Sequence, residues 1–238
     1  MTQNRNYVIS FASTKGGVGK TTLALVLATE FSRRSNGGPG IRSSDSPDYR
    51  VACIDCDPNR VLDAALRKTG LPDILSIQSD GETLLAALRD ARAAAPIVLI
   101  DLEGSANQAM LYAAGKSDLV LIPAQPSAYD TREAIKTADV IRQAADLVER
   151  TIDFRVVLTR TPVLRQRVAG HSRAQFEKAE LPILGAELVH RVAFQNMSYT
   201  GRVPYQDDPG GGAAQNVTVL AQQVADIVGI PWVEEEVV

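Results

Sequence analysis

The stretch STKGGVGKTT, residues 13–22, decides how the rest of the chain is read. A β-rich run, YVISFAS (7–13), leads into it, and TTLALVLATEFSRR (21–34) follows with the length and composition of a helix. Strand, glycine-rich turn and helix in that order make a phosphate-binding loop. Gly16, Gly17 and Gly19 carry no Cβ, so the backbone around Val18 can wrap closely and aim its N–H groups at phosphate oxygens. The helix adds its positive N-terminal end. Lys20 is placed to reach the β- and γ-phosphates, and the Thr21 hydroxyl to bind Mg²⁺. Two features depart from the general pattern. Thr14 stands where a glycine is usual, and a second lysine, Lys15, follows it.

Working outward, short apolar runs alternate with helical patterns, which predicts βαβ units and a mostly parallel, twisted sheet with helices on both faces. Strands are expected at YRVACID (49–55), IVLI (97–100), DLVLIPAQPS (118–127) and FRVVLTRT (154–161), with a short one in 175–188. Helices are expected over 81–95, 130–150 and 212–228, the last stopped by Gly229 and Pro231. The Gly-, Ser- and Pro-rich segment 35–48 reads as an exposed loop, and residues 230–238 as a loose acidic tail. No repeat or boundary divides the chain, so residues 1–238 are taken as one domain.

Two carboxylate sites accompany the loop. Asp101 ends the apolar run IVLI just before a turn containing Gly104, which puts it at the carboxyl edge of the sheet as a metal partner. Asp55 and Asp57 follow the second strand in DCDPNR. Asp57, further out before Pro58, is preferred for orienting water or a metal-bound water, and Asp55 is given a structural role. Phosphoryl transfer rests on positioning and charge, so no covalent nucleophile is required. No Ser-His-Asp or Cys-His arrangement competes. Cys53 and Cys56, three apart on a strand, point to opposite faces and read as packing residues.

The totals exclude some classes. Hydrophobic content of 45% and charged content of 22% are ordinary for a globular protein. No apolar run approaches the roughly 20 residues that span a bilayer. The start of the chain lacks the layout of a secretory signal, so a cytoplasmic location is expected. A net charge of −3 announces no nucleic-acid binder, so DNA contact needs a local patch.

These motifs together resemble the ParA/MinD family of ATPases. KGGVGKTT matches its deviant Walker A motif, K-G-G-x-x-G-K-[ST]; DCDPNR resembles switch I; IVLIDLEG resembles the Walker B and switch II strand; and LVLIPAQPSAYD resembles the segment after the next strand. The likeness runs from Tyr7 to about Val228 and leans toward the VirC1-like and small plasmid ParA branch. It implies an ATP-dependent homodimer in which Lys15 crosses the interface to the partner's nucleotide. It also implies slow, partner-stimulated hydrolysis of ATP to ADP and phosphate with Mg²⁺, and a nucleotide site spanning Lys15 to Thr22 with Thr159 and Arg160 beside the base. Partners implied are DNA, bound non-specifically on the nucleoid, and a ParB-like or relaxosome adaptor, with plasmid or chromosome partitioning or conjugative transfer as the task. Five arginines and no acid lie between residues 155 and 176. Arg165, Arg167 and Arg173, with Arg191 and Arg202, are the expected DNA contacts. Asn59 stands for the usual Gln, LEGSAN for the Thr-Pro-Pro form of switch II, and Thr159 for a base-reading Asn. A MinD-like membrane role is disfavoured by the terminal VEEEVV, which an anionic bilayer repels.

Overall fold

The computed structural model describes residues 6–34, 49–104, 108–163 and 167–232. Apolar runs with no polar alternation cannot face water on either side, and here they build a parallel sheet covered on both faces. Its strands are β1 (Tyr7–Phe11), β2 (Val51–Asp55), β3 (Ile74–Gln78), β4 (Ile97–Asp101), β5 (Leu119–Ala124), β6 (Phe154–Thr161) and β7 (Leu188–Val189). All pairings are parallel, in the spatial order β3-β2-β4-β1-β5-β6-β7. The helices are α1 (Lys20–Arg34), α2 (Val61–Thr69), α3 (Leu84–Ala94), α4 (Gln108–Lys116), α5 (Ala128–Leu147), α6 (Arg167–Lys178), α7 (Val192–Thr200), α8 (Pro204–Asp207) and α9 (Gly212–Val228).

Successive side chains of each central strand enter opposite layers. Val8, Val98, Ile100, Val120 and Val156 pack with α3, α4 and α5. Ile9, Leu99, Leu121 and Val157 pack with α1 and α9. Cys53 and Cys56 divide the same way between the layers; both are free and buried, and burial pushes the Cys56 thiol up to about 12. α1 is buried on nearly every side, and even its Glu30 is enclosed, compensated by Arg33 at 2.8 Å and the Thr218 hydroxyl of α9 at 2.8 Å.

Caps explain the shifted helix bounds. The helix expected from residue 81 starts at Leu84 because Asp80 Oδ1 accepts the N–H groups of Glu82 and Thr83 at 3.0 and 2.8 Å. The helix expected from residue 130 starts at Ala128, where the Ser127 hydroxyl accepts the Asp130 N–H at 3.1 Å. The expected loop 35–48, residues 233–238 of the tail, and Arg165 lie outside the described residues.

Topology positions the site. β1 lies between β4 and β5, and the chain leaves it in one direction for β2 and returns on the other side for β5 and β6. That reversal opens a crevice at the carboxyl ends of β1 and its neighbours. Register brings the motifs level there, since Phe11 pairs with Asp101 and Asp101 with Asp55.

Candidate functional site

The loop after β1 turns through two left-handed glycines, Gly17 at φ 78° and Gly19 at φ 100°, a conformation that costs a Cβ-bearing residue dearly. Its shape is fixed from three directions. The Thr14 N–H donates to Thr137 Oγ1 at 3.1 Å, and its hydroxyl donates to Glu133 Oε2 at 2.8 Å, both on α5. Gln125, at the end of β5, donates to the Gly17 carbonyl at 3.1 Å. Thr159 of β6 donates to the Val18 carbonyl at 2.6 Å. Gly104 supports it from the β4 side: a Cβ there falls 2.9 Å from the Gly16 Cα and N, so the turn after Asp101 rests directly on the loop.

The two lysines point different ways. Lys20 is buried and curls into the loop, its Nζ donating to the Lys15 carbonyl at 3.3 Å. Burial lowers its pKa, opposed by the charges of Asp101, Asp57 and Glu103, which places those carboxylates around it. Lys15 Nζ instead lies outside the loop, 3.2 Å from both oxygens of Asp130 on α5. Its side chain is 41% exposed, whereas that of Asp130 is 4% exposed and is also held by Ser127. Lys15, Tyr129, Arg132 and Lys136 line an open hollow of about 600 Å³ on this flank.

Asp101 is the strained member of the group. It is 1% exposed, and among the described residues neither carboxylate oxygen meets a hydrogen-bond partner at bonding geometry. Burial raises its pKa from 3.8 to about 7, although the Thr21 hydroxyl and the Lys20 ammonium stand close enough to pull it back in part. Two orphaned carboxylate oxygens beside a threonine hydroxyl are a donor set for a hard cation, and Mg²⁺ takes one or two such protein ligands with the rest from phosphate and water. Among the described residues no three His, Cys, Asp or Glu gather as a self-sufficient metal cage.

Asp55 and Asp57 divide their work. Asp55 accepts the Asp57 N–H at 3.0 Å and the Asp63 N–H at 2.9 Å, so it ties the turn to the start of α2. Asp57, half-buried, accepts from the backbone and side-chain amides of Asn59 at 2.8 and 2.9 Å. Arg60 then takes a left-handed φ of 54°, and its side chain is exposed.

Beside the loop lies a cavity of about 370 Å³ whose walls include Thr22, Thr159, Arg160, Arg191, Phe194 and Gln195. Arg160 reaches it through a break in the β6–β7 register and a φ of 52°. A second large hollow, around Arg150 and Phe154, sits at the amino end of β6, on the opposite edge of the sheet from the loop.

The expected DNA arginines are not brought together as one free patch. Arg173 pairs with Glu187 at 3.0 Å, and Arg202 pairs with Asp207. Arg191 lines the cavity, its Nε a buried donor without a partner among the described residues. Arg167 opens α6, its side chain outside the described residues. Sequence reading missed Ser127, Asp130, Glu133 and Thr137. The S-x-x-D spacing of a helix cap was visible at 127–130, but its place against Lys15, 115 residues away, was not.

Residues 6–208 match the family model described as VirC1 protein. The chain is 29% identical over 197 residues to Protein ParA of Rhizobium radiobacter, covering 82% of this chain and 83% of that one. By structure it is similar to an aspartate-to-alanine variant of McdA of Cyanothece in complex with ATP, with a TM-score of 0.74, 17% identity, and 97% and 99% of the two chains covered. It is also similar to MinD of Pyrococcus horikoshii in complex with Mg-ADP, with a TM-score of 0.70, 16% identity, and 94% and 98% covered. With its sheet, phosphate loop and carboxylates in this arrangement, the chain belongs to the VirC1 family within the ParA/MinD group of ATPases.

Proposed function

We propose that this chain is a Mg²⁺-dependent ATPase that closes into a dimer around ATP and uses that switch on DNA, in partitioning or in VirC1-type transfer. The observation that carries the reading is the divergence of the two loop lysines. A lysine serving its own phosphates turns into the loop, as Lys20 does. Lys15 turns outward, half-exposed, onto a carboxylate it can exchange for a stronger anion. A cation supplied from outside to a developing phosphate charge is the physics of an arginine finger acting in trans.

Within one chain, Lys20 and the N–H groups of 16–21 hold and orient the phosphates, and Asp57 holds a water in line. Thr21 and Asp101 would hold Mg²⁺, which neutralises phosphate charge when bound. Lys15 gives up Asp130 when a second chain presents its nucleotide. An adaptor of the ParB or relaxosome kind is proposed to speed the turnover that this assembly performs slowly. DNA contact is assigned to Arg165 and Arg167, because Arg173 and Arg202 are occupied by Glu187 and Asp207. Among the described residues no helix is long and apolar enough to cross a membrane.

Light scattering with Mg-ATP and with Mg-ADP tests the reading. The wild-type protein should dimerise with ATP alone, and Lys20→Ala should bind no ATP and stay monomeric. A Lys20→Ala variant that retains ATP affinity, or a dimer indifferent to nucleotide, contradicts it.

A further inference from the structure

Thr159 sits on β6 beside the phosphate loop. It stands on the wall of the cavity beside the loop, where an amide would read a base, yet it is wholly buried and its only proton is committed elsewhere. Oγ1 donates to the Val18 carbonyl at 2.6 Å, across 141 residues of sequence. A hydroxyl carries one donor hydrogen, so Thr159 has none left to donate to a nucleobase; contact through its accepting oxygen is what the ATP-to-GTP ratio below measures.

What that bond fixes follows from peptide geometry. The Val18 carbonyl and the Gly19 N–H belong to one planar trans unit, in which they point in opposite directions. Holding the carbonyl toward β6 therefore holds the Gly19 N–H away from it. Without that restraint the unit is free to turn over, because Gly19, at φ 100°, has no Cβ to resist a change of backbone angle. A turned peptide offers a carbonyl oxygen where an anion needs a donor. Packing supports the same contact, since a Cβ built on Gly19 lies 3.6 Å from the Thr159 side chain. The two residues meet just before Lys20 begins α1.

We infer that Thr159 is a positioning residue for the phosphate loop, not a base-reading one: it clamps the Val18–Gly19 peptide so that the loop binds the polyphosphate part of the nucleotide. The inference rests on the nucleotide reading above. It makes the clamp on this loop a property of β6, on the far side of β5 from β1.

The variants Thr159→Val, nearly the same in shape, and Thr159→Ser, which keeps the hydroxyl, separate the roles. Calorimetry measures their affinity for Mg-ATP, Mg-GTP and Mg-tripolyphosphate, which has no base. Thr159→Val should lose about tenfold for all three, the effect of one buried carbonyl left without its donor. Its ATP-to-GTP ratio should be unchanged, and Thr159→Ser should bind as wild type. Unaltered tripolyphosphate affinity with a changed ATP-to-GTP ratio overturns the inference in favour of base reading. Wild-type affinities in Thr159→Val, or equal losses in Val and Ser, also overturn it. Should the valine variant fail to fold, Thr159→Ala against Thr159→Ser makes the same comparison. A wild-type protein that binds neither ATP nor tripolyphosphate refutes the underlying nucleotide reading, a result distinct from any of these.

Discussion

Replacing Asp101 with asparagine should stabilise the nucleotide-free, chelator-treated protein above pH 7 while abolishing turnover. In the unfolded chain the carboxyl ionises near 3.8; in the folded protein burial raises this to about 7. Between those values the folded state holds a proton that the unfolded state has released, so stability falls as pH rises and levels off above about 7. The span corresponds to roughly 4 kcal/mol when the carboxylate is fully ionised. Asparagine removes the charge but buries an amide that is also short of partners, which costs about 1–3 kcal/mol. It also takes from Lys20 the first of its opposing carboxylates. The net gain at pH 8 is therefore roughly 2 kcal/mol, or about 4–8 °C in Tm for a chain of this size. Thermal melts followed by circular dichroism at pH 4.5, 6 and 8 should show the asparagine protein at or below wild type at the acid end, where its amide cost is no longer offset, and progressively above it as pH rises. A difference that does not change with pH, or an asparagine variant less stable than wild type at pH 8, refutes the reasoning. Loss of Mg-dependent ATP turnover in that same stabilised protein is the expected functional counterpart.

Other perturbations test other parts of the site. Asp57→Ala should hold the ATP dimer without turning it over; hydrolysis at the wild-type rate removes Asp57 from the chemistry. Asp130→Asn releases Lys15 from a half-exposed ion pair and should tighten ATP-dependent dimerisation by up to about fivefold in light scattering. A weaker dimer would show that Asp130 helps Lys15 and does not restrain it. Arg165→Glu with Arg167→Glu should weaken ATP-dependent retention on DNA at moderate salt and leave basal ATPase activity intact; unchanged retention moves the DNA surface elsewhere.

Local constraints were legible and tertiary ones were not. Gly17 and Gly19 announce the loop because their backbone angles disfavour side chains, and four apolar residues before Asp101 place its carboxylate at a strand end. The strand 154–161 and the helix 212–228 were readable to their ends because both bury continuous or periodic apolar faces. The edge strand β3 was not, since ILSIQ is half-buried throughout and neither alternates nor runs apolar. α2 gave no start signal because Arg60, left-handed and without a capping side chain, precedes it. α7 buries Met197 alone and so leaves little period to read. The arginines looked free because ion pairing is settled in three dimensions: Glu187 and Asp207 lie outside the acid-free window of residues 155–176. Thr159 shows the same limit: its hydrogen bond to the Val18 carbonyl, 141 residues away, was not legible in the sequence.

That Lys15 serves the partner's nucleotide is tested by mixing two inactive variants. Lys15→Ala keeps its own ATP-binding loop but lacks the lysine to give, whereas Lys20→Ala gives Lys15 but holds no ATP. A mixed dimer contains one complete site, so the mixture should recover Mg-ATP turnover that neither variant shows alone. A mixture as inactive as its two components, or a Lys15→Ala protein that hydrolyses ATP normally by itself, contradicts the claim.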